Sequence, residues 1–109
     1  MLTPLELSNQ LAEMTQENFR GVNAIYEAET NLANAENKLD TIEQKTFLLS
    51  EGSVAERNAH ARLEAADFRF QRDIAKAEFN RVKLKVRAIE HAMMSLGTQA
   101  KLIAVEMKL

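Results

Sequence analysis

The sequence predicts an all-α protein: a long antiparallel helical hairpin of coiled-coil type that dimerises into a four-helix bundle. Three observations carry this reading. Apolar residues recur at alternating spacings of four and three along almost the whole chain, the pattern of helices that wrap together. A helix-stop signal and a helix-start signal meet at Gly52-Ser53 with no room for a linker. The two halves also carry opposite charge. Residues 1–52 hold three basic and nine acidic residues, a net of −6, and residues 53–109 hold eleven basic and seven acidic, a net of +4. Oppositely charged arms attract when the chain folds back on itself.

At 109 residues the chain forms one domain, with helix 1 at about 4–50, a turn at about 51–53 and helix 2 at about 54–96 or beyond. The first arm opens with Thr3-Pro4-Leu5-Glu6, a capping box with proline at the first helical position. Two lines of seam residues follow. One holds Leu11, Asn18, Ile25, Leu32, Leu39 and Thr46, and the other Leu7, Met14, Gly21, Ala28, Ala35, Ile42 and Leu49. Gly21 begins a strip of small residues that admits a close helix neighbour, and Asn18 is a polar residue of the kind that fixes register.

In the turn, Gly52 suits the left-handed residue beyond a helix end. Ser53 with Glu56 forms the next capping box. The second arm keeps the same period. Val54, Ala61, Phe68, Ala75, Val82, Ile89, Leu96 and Ile103 make one line, and Asn58, Ala65, Arg72, Phe79, Val86, Met93, Ala100 and Met107 the other. No Gly or Pro interrupts residues 53–96, so one unbroken helix is expected there, continuing through Gly97.

Folding the arms about Gly52 sets large residues against small ones: Gly21 against Val82, Ala35 against Phe68, Leu39 against Ala65 and Ile42 against Ala61. On the edges it sets Glu43 near Arg62, Glu36 near Arg69, Glu29 near Lys76, Lys38 near Glu64 and Glu17 near Lys85, with Lys45 and Arg57 as one repulsive pair.

The outer faces are not uniformly polar. Leu63, Phe70, Ala77 and Leu84 line the second arm opposite its seam, with Ile74 beside them. Leu5, Phe19, Tyr26 and Phe47 line the first, with Val22 beside them. Aromatic stripes at helical spacing are core residues, and this core lies outside the hairpin, so it implies a partner, most simply a second copy. Leu102, Ile103, Val105, Met107 and Leu109 extend past the start of the first arm and have no evident partner within the chain. We therefore expect partner binding at Leu63, Phe70, Leu84, Phe19, Tyr26, Leu102 and Val105.

Catalysis finds no residues to carry it, and no enzyme is expected. There is no cysteine, so thiolate chemistry, disulfides and Cys-based metal sites are excluded. His60 and His91 are far apart and lack helical metal-ligand companions. Three scattered glycines make no phosphate loop, and no cofactor is expected. An alternative is nucleic-acid binding through Arg81, Lys83, Lys85 and Arg87. Those four cations point to different faces, and seam residues Val82 and Val86 interrupt them, so a solvated helix surface is the simpler reading. A third possibility is an export or assembly chaperone. The amino-terminal residues lack the basic and apolar regions of a signal peptide, and no apolar run reaches the ~18 residues that span a bilayer. A cytoplasmic protein without a membrane partner is expected.

The stretch Glu78-Phe79-Asn80-Arg81-Val82-Lys83-Leu84-Lys85-Val86-Arg87-Ala88-Ile89-Glu90-His91-Ala92-Met93-Met94-Ser95-Leu96 resembles the carboxy-terminal helix of small coiled-coil proteins from bacteriophage early regions, which often also encode recombination functions. The resemblance covers about a fifth of the chain. It implies a phage or prophage protein, acting in the host cytoplasm, that binds and modulates a host or phage protein. In size and hairpin shape the chain is also similar to the WXG-type secreted helical hairpins, although its turn reads Ser50-Glu51-Gly52 and it contains no tryptophan.

Overall fold

A computed structural model describes residues 2–108, and Leu109 and Met1 lie outside that range. The described residues form three helices and no strands: α1 (Pro4–Leu49), α2 (Val54–Glu64) and α3 (Ala66–Lys108). The class is all-α, a helical hairpin of coiled-coil type. Contacts group the chain into two compact units, one of residues 1–25 with 81–109 and the other of residues 26–80.

The caps work as their residue types require. The Thr3 amide donates to Glu6 Oε2 at 3.3 Å and the Glu6 amide donates to Thr3 Oγ1 at 3.2 Å. These two bonds satisfy donors that a helix start otherwise leaves orphaned. A related cap opens α2, where the Glu56 amide donates to Ser53 Oγ at 3.1 Å and the second bond runs between side chains, from the Ser53 hydroxyl to Glu56 Oε1 at 3.2 Å. Gly52 between the helices has φ of +109°, a conformation that side chains rarely adopt.

In the unit of residues 26–80, Ala28, Leu39, Ala61 and Ala65 are buried. Leu32, Ala35, Ile42, Thr46, Phe68, Arg72, Ala75 and Phe79 are half-buried, all on the two seam lines. The seam frays at the turn, where Leu49, Val54 and Asn58 are exposed. In the unit of residues 1–25 and 81–109, Leu7, Leu96 and Ile103 form a buried cluster flanked by Leu2, Leu11, Met14 and Ala100, and Val86 is buried further along.

Three features depart from the sequence expectation. The first is register. A Cβ on Gly21 would stand 2.6 Å from Val86 Cγ2, so Gly21 faces Val86, one helical turn beyond Val82. Reversing the chain direction reverses the order of the two seam lines, so each line packs against the other line of its neighbour. Gly21 therefore meets the Val86 line and not its own counterpart. Within the same unit this offset brings Ile103 alongside Leu7 and buries it, although the sequence left it without a partner.

The second departure is a break in the second arm. Ala65, fully buried, ends α2 with φ −87° and ψ 0°, and α3 starts immediately afterwards. Ladder bonds persist on both sides, from the Ala65 amide to the Ala61 carbonyl (3.0 Å) and from the Arg69 amide to the Ala65 carbonyl (2.9 Å). At the end of α2 the Arg62 carbonyl accepts from Arg69 Nη2 at 3.4 Å. A side chain thus supplies a donor where the helix ladder stops. α3 then continues through Gly97 to Lys108.

The third concerns charge. Glu43 pairs with Arg69, with Nη2 to Oε1 at 3.1 Å, and not with Arg62, so Arg69 is taken from the expected pair with Glu36. Arg57 has a partner that the charge pattern did not include. Its guanidinium lies 4.3 Å from the centre of the Phe47 ring, and its Nε donates to the Phe47 carbonyl at 3.0 Å. Phe47 is half-buried by this and leaves the outer stripe.

Candidate functional site

The predicted partner-binding residues are all on the surface. Phe19, Tyr26, Leu63, Phe70, Leu84, Leu102 and Val105 are each more than half exposed, as are Val22 and Ile74. Helical periodicity explains the placement. A 3.5-residue repeat that commits two positions of seven to the seam leaves the others facing solvent, whatever their chemistry. Leu63, Phe70 and Leu84 lie directly opposite the seam of their arm. Phe19 and Tyr26 lie on the flank of α1, next to the edge that carries Glu29, Glu36 and Glu43, so the two stripes are separate surfaces.

Both seams are thin. The buried residues are Leu7, Ala28, Leu39, Ala61, Ala65, Val86, Leu96 and Ile103, and no large side chain among the described residues is fully buried. The chain exposes 8351 Å². A self-contained monomer of this mass would expose roughly 6,100 Å².

Two clefts stand out. One, of about 810 Å³ and open to solvent, lies beside the turn between Glu43, Phe47, Asn58, Ala61, Arg62 and Arg69. Its polar edge is already used, since Arg69 is bonded to Glu43 and Arg57 covers Phe47. The other, of about 300 Å³, lies between Pro4, Leu7, Leu11, Ala100, Ile103 and Met107, and is lined mostly by apolar atoms. It adjoins the buried cluster of Leu7 and Ile103, while exposed Leu102 and Val105 are not among its lining residues.

Arg81, Lys83, Lys85 and Arg87 are exposed on α3, with Val82 half-buried and Val86 buried between them. Cations on alternate sides of a seam do not converge on one phosphate track. His60 lies in the cleft on the other side of the turn, with Glu51, Glu56 and Glu64, while His91 is exposed and distant along α3. Among the described residues, no group of three or more His, Asp or Glu side chains is placed to hold a metal ion. No helix is long and apolar enough to cross a membrane, again among the described residues.

Sequence reasoning missed the Ala65 break and the linkage of Arg69 to both Glu43 and Arg62. The one available signal was faint: Asp67 is an acidic residue in the first turn of α3, which suits a helix start. It also missed Arg57 over Phe47, because it paired charge with charge and did not consider an aromatic face. No protein-family model, curated protein or solved structure matches this chain. The fold and surface define the class as a two-arm helical hairpin with apolar outer faces.

Proposed function

We propose that this protein is a non-enzymatic interaction module that binds another protein through its outer apolar faces. The observation that carries the reading is the mismatch between inside and outside. The seam buries only three alanines and five larger aliphatics, with its other residues half-buried or exposed, while phenylalanine, tyrosine and leucine side chains stand more than half exposed on both arms. Leaving such side chains in water forgoes about 1.5–3 kcal/mol each, and a partner recovers it. The resemblance of residues 78–96 to phage coiled coils supports a phage or prophage setting, with a host or phage protein as the one modulated.

The test is site-specific photocrosslinking. A photoreactive residue at Phe19 or Tyr26 should capture a discrete protein in cells, whereas one at Asn37, a solvated position on the same helix, should not. Equal, diffuse labelling at all three sites would refute the reading.

A further inference from the structure

One side of the unit of residues 1–25 and 81–109 is apolar and open. On α1, Leu5, Ala12 and Phe19 recur at every seventh residue, and Ser8, Thr15 and Val22 stand three places after them. All six are exposed. The same count on α3 gives Met94 and Lys101, with Gly97 and Ala104 three places on. Ser8 and Ala104 line one cleft of about 300 Å³ with the seam residues Leu7 and Ile103, so these lines flank the same side of the seam. A Cβ at Gly97 would meet nothing within 4 Å, which leaves the floor of this side open. The Thr15 hydroxyl donates to the Leu11 carbonyl at 2.8 Å and needs no water there. We infer that this side is the contact with a second copy of the same chain, stacked as a four-helix bundle whose two-fold axis runs along the helices. The inference rests on the interaction-module reading and names the partner for one of its faces.

Width and area select a second hairpin as the occupant. Both helices carry an apolar ridge, Leu5 and Phe19 on α1 and Met94 on α3. A single helix seated in the cleft would leave the outer ridges wet, whereas a second hairpin covers both. Leu5, Phe19, Val22 and Met94 are 71%, 68%, 54% and 71% exposed. With the small residues between them they offer on the order of 700 Å² per subunit, roughly 1,400 Å² in all, the size of a specific interface.

The direction follows from what stands at each level. Gly21 against Val86 sets the register of this unit, and places Leu5 level with Lys101 and Ala104, Ala12 with Met94, and Phe19 with Arg87. A two-fold axis along the helices lays α1 of each copy over α3 of the other at those levels. Ala12 then receives Met94, small against large. Leu5 lies against Ala104 and the aliphatic stem of Lys101. Arg87 reaches the Phe19 ring, a contact of the kind that Arg57 makes with Phe47 at 4.3 Å. Glu90, an acid on the same side, is one turn from Arg87 on its own helix, where the two charges offset each other. Turned end for end about Met94, the second copy would instead lay α3 on α3 and bring Lys101 toward Arg87, like charges.

The absence of cysteine makes the test direct. With a short bis-maleimide reagent, Ala12→Cys chains mixed with Met94→Cys chains should crosslink to each other. Neither variant alone should do so, because like arms lie on the diagonal of such a bundle. In sedimentation equilibrium the unmodified chain should self-associate at high micromolar concentration. Phe19→Glu should weaken this about 100-fold, and Asn37→Glu, at a solvated position, should leave it unchanged. A chain that stays monomeric, or Ala12→Cys crosslinking to itself as readily as to Met94→Cys, overturns the inference. If self-association fails while a photoreactive residue at Phe19 still captures a discrete protein other than this chain, the second copy falls alone. If both fail, the interaction reading falls with it.

Discussion

The same substitution at two glycines should have different effects, because a Cβ at Gly21 would press against Val86 while one at Gly97 would meet nothing. At Gly97, inside α3, a Cβ meets nothing within 4 Å. Gly97→Ala therefore gains the full helix propensity of about 1 kcal/mol, a rise in Tm of about 4–8 °C for a domain near this size. At Gly21 the same Cβ would stand 2.6 Å from Val86 Cγ2, well inside a carbon–carbon contact. Val86 is buried and β-branched, so its rotamer in a helix is nearly fixed and it has no room to swing aside. Either the helices part locally or Val86 leaves its well, at about 1–3 kcal/mol for overpacking. Set against the propensity gain, Gly21→Ala should be neutral to about 2 kcal/mol destabilising. Val86→Ala removes the obstacle at a loss of about 1.5–3 kcal/mol of burial. In that background Gly21→Ala should turn stabilising by about 1 kcal/mol. The double-mutant cycle should therefore show a coupling of about 1–3 kcal/mol. Helix signal followed through thermal and urea melts reads all of this, at one fixed protein concentration so that association does not shift the midpoint. If Gly21→Ala raises Tm as much as Gly97→Ala, the close approach at Val86 does not exist.

Three further substitutions probe other parts of the argument. Ser53→Ala removes both exchanges with Glu56 at the start of α2, and should cost about 1 kcal/mol in a urea melt; an unchanged midpoint would mean that packing alone holds that end. Asn18 Oδ1 is buried without a hydrogen-bond partner, so Asn18→Leu should stabilise the chain by about 1–3 kcal/mol, and a loss of stability would reveal a partner for the amide. The pair of Arg69 and Glu43 keeps about a third of each side chain exposed, so its double-mutant coupling should stay below about 1 kcal/mol and shrink with added salt. Arg69→Met should cost more than that coupling, because it also frees the Arg62 carbonyl; equal values would show that this second bond contributes nothing.

Much of the architecture follows from local chemistry alone. Glu6 behind Thr3-Pro4, Glu56 behind Ser53 and Gly52 before it specify where helices start and stop, because each satisfies backbone groups within a few residues. The 4–3 repeat selects which residues turn inward, and the buried set falls on those two lines. The outward stripe of Leu63, Phe70 and Leu84 follows from the same count. Register is different in kind. A heptad pattern looks the same after it slides by a repeat, and so does the ladder of Glu29, Glu36 and Glu43 facing Arg62, Arg69 and Lys76. Charge therefore does not say whether Glu43 belongs to Arg62 or Arg69, and Gly21 meets Val86 and not Val82 through a four-residue step set by how the antiparallel seam lines interleave. That choice belongs to the interlocking of side chains between helices: the methyl of Val86 over the bare backbone of Gly21, and Ala65 buried at a break that lets Arg69 reach both Glu43 and the Arg62 carbonyl. Those contacts join residues far apart in the chain, and only the folded structure brings them together.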